Sequence, residues 1–235
     1  MKVFLIILAI ACGLYIASLI YLLATVGSFT SYWEDQIGKP APKDALVYIA
    51  LGDSAAQGVG AYTASGGYVG QFAKRLAAQQ NRPVQVINLS KSGAKINDVI
   101  KDQLPQLKDY RPDVITLDIG GNDIAVFDAI KFKAEFSDLA ARLPAGTLVA
   151  DVPYFGGRTQ LPFFGSGRAE RSVLIANKII ADATKGRSLV AVPVHDVTKD
   201  RNGRRIWNYA PDYFHPSNLG YKAWTDAFWD SYNKK

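Results

Sequence analysis

The chain has 235 residues, 27 Lys and Arg against 21 Asp and Glu, and a formal net charge of +6. Its basic residues are scattered, from Lys74-Arg75 through Lys91, Lys95, Arg168 and Arg171 to the stretch Arg201 to Arg205, with no nucleic-acid-binding module beside them, so nucleic acid is not an expected partner. The single cysteine, Cys12, excludes an intrachain disulfide framework.

Val3 to Val26 is an uncharged run of 24 residues. As a helix it is about 36 Å long, enough to cross a hydrocarbon core of about 30 Å with some tilt. A secretory signal has a shorter apolar core, of about 7–15 residues, and a small-residue cleavage site, for which Thr25-Val26-Gly27 is a poor candidate. A lipidated Cys12 would end its signal, whereas this run continues for another 14 residues. Residues 1–28 therefore read as a single-pass transmembrane anchor, with an uncleaved or cleaved signal as the alternative. Lys2 on the short side, set against Lys39 and Lys43 on the other, places the bulk of the chain outside the cytoplasm. Residues 29–44 are polar and punctuated by Gly38, Pro40 and Pro42, which predicts a semi-stiff linker.

From Ala45 the pattern is constant. Short apolar runs bounded by Gly or Pro predict buried strands at Leu46-Leu51, Val84-Leu89, Val114-Ile119, Leu148-Val152 and Leu189-Val194. Segments with helical spacing alternate with them, among them Tyr68, Phe72, Leu76 and a last helix from about Leu219 to Tyr232 with Trp224 and Phe228 facing the sheet. Such alternation implies βαβ units, a five-stranded parallel sheet and one three-layer domain over residues 45–235.

Ligands of an open parallel sheet gather at the carboxyl ends of its strands. Three polar clusters fall there: Gly52-Asp53-Ser54, Ser92-Gly93-Ala94 and Gly120-Gly121-Asn122-Asp123. A serine nucleophile needs a base, and His215 supplies one, with Asp212 three residues earlier placed to hold its tautomer. The backbone N–H groups of Ser54 and Gly93 and the amide of Asn122 are candidate donors to an oxyanion. Plainer roles stay open on the residues alone: Ser54 as a helix N-cap, His215 as a structural histidine, Asn122 as a turn residue. Asp53 and Asp123 read as loop-ordering acceptors rather than acids. His195-Asp196 competes as a base pair, but adjacent residues of a strand point to opposite faces, which argues against a hydrogen bond between them.

In order and approximate spacing, Gly52-Asp53-Ser54, Gly93, Gly120-Gly121-Asn122-Asp123 and Asp212-x-x-His215 resemble the four sequence blocks of the SGNH, or GDSL-type, hydrolases, over about residues 45–235. The resemblance implies a flavodoxin-like α/β/α fold, Ser54 as nucleophile, His215 as base, Asp212 as its orienting acid, and an oxyanion hole of Ser54, Gly93 and Asn122, with no metal or cofactor. It departs from the family at Ala55, where leucine is frequent. The family includes lipid esterases, lysophospholipases, thioesterases and carbohydrate acetyl esterases. The loop from Pro153 to Gly167 carries Tyr154, Phe155, Phe163 and Phe164, a candidate aromatic rim for an acyl chain. With the anchor, it favours a lipid ester such as a lysophospholipid as substrate. A cell-wall or glycan O-acetyl group, for hydrolysis or acyl transfer, is the alternative, and a catalytically silent lipid- or wall-binding domain is the reading from another class.

Overall fold

The computed structural model describes residues 2–156, 166–202 and 206–234. Five parallel strands, Leu46–Gly52 (β1), Val84–Asn88 (β2), Val114–Asp118 (β3), Leu148–Ala150 (β4) and Val190–Val192 (β5), form one sheet in the order β2-β1-β3-β4-β5. Each coincides with an apolar run of the sequence, most fully in the inner strands β1, β3 and β4, which are covered on both faces and need no polar side, while the edge strands β2 and β5 are only partly buried. β5 is shorter than its run, since the chain turns into a helix at Val194. The strand order reverses direction between β1 and β3, whose pairing ends at Gly52 opposite Asp118. That switch point is where such sheets open a crevice for ligands.

Side-chain alternation along the strands divides the core in two. Tyr48, Ala50, Leu148 and Val192 face Tyr68–Gln80 (α3) and Asn218–Tyr232 (α8), against Phe72, Leu76, Trp224 and Phe228. Ile49, Leu51, Ile115 and Leu117 face Ala129–Arg142 (α5) and Ser166–Thr184 (α6), against Phe132, Phe136, Val173 and Ile180. Trp224 and Phe228 are both buried, as their i, i+4 spacing predicts. Burial of a ring such as Phe228 contributes about 1.5–3 kcal/mol. Two short helices, Ser54–Gln57 (α2) and Ile96–Asp98 (α4), follow β1 and β2, and Val194–Asn202 (α7) follows β5.

The N-terminal helix, Lys2–Gly38 (α1), is long and apolar enough to cross a membrane by length and composition. It also corrects the reading of residues 29–44 as a linker from their start, for the helix continues to Gly38. Phe29 and Trp33 are buried against the domain, Trp33 Nε1 donates to the backbone oxygen of Gln57 at 2.9 Å, and Gln57 Nε2 donates to Thr30 Oγ1 at 3.2 Å. One packed stripe of apolar side chains was enough to keep helical a segment whose polar composition suggested a stalk.

Candidate active site

Ser54 opens α2 directly after β1, and the N-cap is its neighbour: Asp53 Oδ1 accepts from the Ala55 N–H at 3.0 Å. The hydroxyl of Ser54 has no capping duty and instead lies 2.9 Å from His215 Nε2. On the far side of the ring, His215 Nδ1 lies 2.5 Å from Asp212 Oδ2. Asp212 Oδ1 accepts from the backbone N–H groups of Phe214 and His215, both at 2.9 Å, which folds residues 212–215 into a tight turn with Tyr213 in the left-handed region at φ 50°. Burial disfavours the Asp212 charge, but the hydrogen bond from His215, the attraction of its ring and the two backbone donors outweigh it and hold the carboxyl below its usual value. An ionised Asp212 can only accept, so Nδ1 carries the proton and Nε2 is left to accept from Ser54. A loop glycine makes room for this arrangement: a Cβ on Gly60 would stand 2.7 Å from that of His215.

The β3 loop closes the other side. Asn122 Nδ2 donates to the Ala94 backbone oxygen at 2.9 Å and to Asp53 Oδ2 at 3.2 Å, so Asp53 joins the loops after β1 and β3. Gly93 has φ 81°, and no atom lies within 4 Å of where its Cβ would be, which leaves the space above this loop open. Asp123, beside Asn122, is pushed up to about 6 by burial. Asp53, Ser54, Asn122, Phe155, Phe214 and His215 line a narrow cleft of about 30 Å³. It adjoins a cavity of about 340 Å³ lined by Ile124, Phe127, Arg168 and Ala169, among others, with Gly121, Asn122, Phe155 and Phe214 shared between the two. Among the described residues no group of three or more His, Cys, Asp or Glu is placed to hold a metal ion.

Of the four aromatic rim candidates, Phe155 lines both spaces. Tyr154 does not; its ring stands edge-on to His195, centroids 5.9 Å apart. Phe163 and Phe164 lie outside the described residues.

The alternation argument against a bond between His195 and Asp196 fails, because both residues sit in the first turn of α7 rather than on a strand. His195 Nδ1 lies 3.0 Å from Asp196 Oδ1, and Nε2 lies 2.8 Å from Glu170 Oε1. The cluster is remote in role from Ser54: Glu170 Oε2 accepts from the backbone N–H groups of Phe155 and Gly156, at 2.9 and 3.1 Å, and so fixes the loop that presents Phe155. Glu170 was not legible in the sequence: it is one of two carboxylates on an amphipathic helix, 25 residues from its partner. The same holds for Gln57, whose amide links α1 to Ser90 and Ser92 ahead of Gly93.

The hydrogen bond to Glu170 raises the His195 pKa above its usual 6.5, with burial opposing and Asp196 adding to the rise. Burial pushes Glu170 upward, but the bonds from His195, Phe155 and Gly156 outweigh it and leave its pKa below 4.5. The raised histidine stabilises the fold fully below its unfolded pKa, and that contribution is lost as pH rises through the folded one; the lowered glutamate stabilises above its unfolded pKa, and that is lost as pH falls through the folded one. The pair thus supports the fold most between about pH 4.5 and 6.5. Glu170→Gln is expected to lower stability by about 2 kcal/mol in that window. In thermal melts the gap from the wild type narrows toward alkaline pH; a gap independent of pH would show that the pair carries no charge.

Residues 50–223 match the sequence model of the GDSL-like lipase/acylhydrolase family, and the chain belongs to that family of ester hydrolases. The four motifs read from the sequence all lie in the matched region. No curated protein matches the chain. Among solved structures, TesA is similar over 79% of this chain and 97% of its own, at 20% identity and a TM-score of 0.62. The lipase Lip_vut3 from a goat rumen metagenome aligns over 80% of this chain and 97% of its own, at 21% identity and a TM-score of 0.62. A catalytic mutant of Axe2, an acetylxylan esterase from Geobacillus stearothermophilus, aligns over 81% and 96% at 18% identity, again with a TM-score of 0.62. At these identities the likeness is one of fold.

Proposed function

We propose that this protein is a membrane-anchored serine hydrolase of lipid esters, lysophospholipids in particular, with its catalytic domain outside the cytoplasm. The observation that carries the reading is the single line of hydrogen bonds from Ser54 through His215 to Asp212, opening beside an apolar cavity large enough for part of an acyl chain. Ser54 Oγ attacks the ester carbonyl and passes its proton to His215 Nε2. His215 then protonates the departing alcohol, leaving an acyl-enzyme. Water attacks that ester in turn and gives its proton to the same nitrogen, and His215 returns it to Ser54 Oγ as the tetrahedral intermediate collapses, releasing the acid and regenerating free Ser54. Ser54, Gly93 and Asn122 supply the donors for the oxyanion of each tetrahedral intermediate. Asn122 starts with both amide hydrogens engaged, and the longer bond, to Asp53, is the one to be shared with substrate. Phe155 and the walls of the larger cavity hold the acyl chain.

The narrow space at Ser54 itself, about 30 Å³, favours a second reading, an O-acetyl esterase or acyltransferase acting on glycans. A substrate panel running from acetyl to long-chain p-nitrophenyl esters, with lysophosphatidylcholine and acetylated glycans, decides between them. Rates that rise with acyl length support the lipid esterase, and rates confined to acetyl groups overturn it. A fluorophosphonate that fails to label Ser54 in the folded protein would overturn both in favour of a silent binding domain.

A further inference from the structure

The position of α1 relative to the catalytic turn carries information about where the substrate comes from. From Ser18 onward the helix is covered along one face, through Leu22, Val26, Phe29 and Trp33, while residues 2–17 are exposed apart from the contact that Tyr15 makes. Those 16 residues are about 24 Å of helix, short of the roughly 30 Å that a hydrocarbon core requires. With Lys2 at one boundary, the other crosses the helix near Leu22, about 20 residues on, within the part already flanked by the domain. Tilting moves that crossing still further along the helix. Yet the domain touches α1 before this point: the ring of Tyr15 lies 5.9 Å from that of Tyr213, the residue between Asp212 and Phe214 in the catalytic turn. On that count the contact lies about 10 Å of helix inside the crossing, so the catalytic turn reaches the bilayer and is not held away from it.

The rest of the active-site rim has the side chains such a position calls for. Outside α1, the exposed large apolar residues of the described chain, apart from Leu174 and Ile175 in the middle of α6, gather on segments that follow the carboxyl ends of strands. Tyr62 is 87% exposed, Trp207 62% and Leu219 60%. All three are tied to the segment just after His215: the Tyr62 N–H donates to Asn218 Oδ1 at 2.7 Å, and Ser217 Oγ donates to the Trp207 backbone oxygen at 2.8 Å. Val126 and Ile130, beyond Asn122, are 70% and 84% exposed. Such a set is costly in water and is at home among headgroups and the first methylenes, where Trp and Tyr concentrate. Lys91, Lys95 and Arg168 stand on loops or helix starts at the same edge of the sheet and suit anionic headgroups.

We propose that the mouth of the active site is seated on the bilayer that α1 crosses, through Tyr62, Trp207, Leu219, Val126 and Ile130, and that the ester is taken from a lipid still resident in that bilayer. The inference rests on reading α1 as an anchor and Ser54 as the nucleophile. Two measurements on the full chain in phosphatidylcholine nanodiscs separate its failure from theirs. The first is the fluorescence of Trp207, obtained as the difference between wild type and Trp207→Phe. Quenching by lipids brominated near the top of the acyl chain, with protection from aqueous iodide, is expected. Iodide quenching with no effect of bromolipid would overturn the seating, whether or not the protein hydrolyses anything. It would also be overturned by protection from both quenchers that vanishes on dilution, the sign of a second copy on this face. The second compares Tyr62→Ser/Leu219→Ser with wild type. The rate on a lysophospholipid in the disc is expected to fall about tenfold as buried apolar area is lost, while the rate on water-soluble p-nitrophenyl acetate is unchanged. An unchanged rate on the disc substrate would overturn the proposal. Inactivity of the wild type on every ester would refute the hydrolase reading and, with it, the substrate claim, while Trp207 still reports the seating.

Discussion

Ser54→Ala and His215→Ala are each expected to reduce kcat for a short p-nitrophenyl ester by at least about 10⁴-fold, and the double variant by little more than either alone. The loss is large because each residue is useless without the other: Ser54 at its ordinary pKa is a poor nucleophile, and His215 Nε2 has no other proton to take in the 2.9 Å geometry observed. Non-additivity is the informative part. Two residues contributing independently to binding would add their free-energy losses, whereas members of one proton path do not. The fold should survive the first change, since Asp53 and not Ser54 caps α2. A melting temperature within a few degrees of wild type, together with lost turnover, separates chemistry from folding. A Ser54→Ala protein with a full rate would remove this serine from the reaction.

The parts of the molecule legible in sequence are those whose physics is local or repeated. The inner strands β1, β3 and β4 could be read because two-sided burial writes a short, mostly apolar run, and the half-buried edge strands β2 and β5 because theirs, though broken by Gln85 in β2, are bounded by Pro or Gly; the glycine, serine and asparagine stand at loop positions after the strands that the fold brings together. The hydrogen-bonded line Ser54–His215–Asp212, proposed as the triad, was suggested by a three-residue spacing in a histidine-poor chain together with the resemblance of four sequence blocks to a known family. What could not be read depends on contacts made at a distance. Residues 29–38 look like a linker until Trp33 meets Gln57 and Phe29 is covered, although their i, i+4 spacing continues the stripe from Leu22. His195 and Asp196 were judged by the alternation of a strand that in fact ends at Val192, and the Pro193 after it was the available signal. Glu170 left no sequence signal, because what gives it a role is a histidine 25 residues away and two backbone N–H groups beside Phe155.

Asp212→Asn should cost nearly as much as loss of the base, about 10⁴-fold in kcat, with the structure of the turn retained. The reason lies in how the carboxylate divides its work. Oδ1 accepts from the N–H groups of Phe214 and His215, and Oδ2 from the ring of His215. An asparagine can satisfy the two backbone donors only by placing its single oxygen on them. Its NH₂ then faces His215 Nδ1, which must accept, and the ring proton moves to Nε2. That nitrogen points a hydrogen at Ser54 Oγ and can no longer take its proton. The variant tests tautomer control rather than packing, because the side chains are isosteric and the left-handed Tyr213 keeps its turn. Asp212→Ala, by contrast, removes the acceptors of both backbone groups and should lower the melting temperature as well. If Asp212→Asn retains wild-type kcat, the Asp212–His215 bond has no part in directing the proton. The wild-type enzyme carries a related signature at low pH. The Asp212 pKa is held below its usual value, so this carboxylate stabilises the turn above about pH 4, and that contribution is lost as pH falls through its folded pKa. In Asp212→Asn the corresponding acid-induced step in the melting curve is absent.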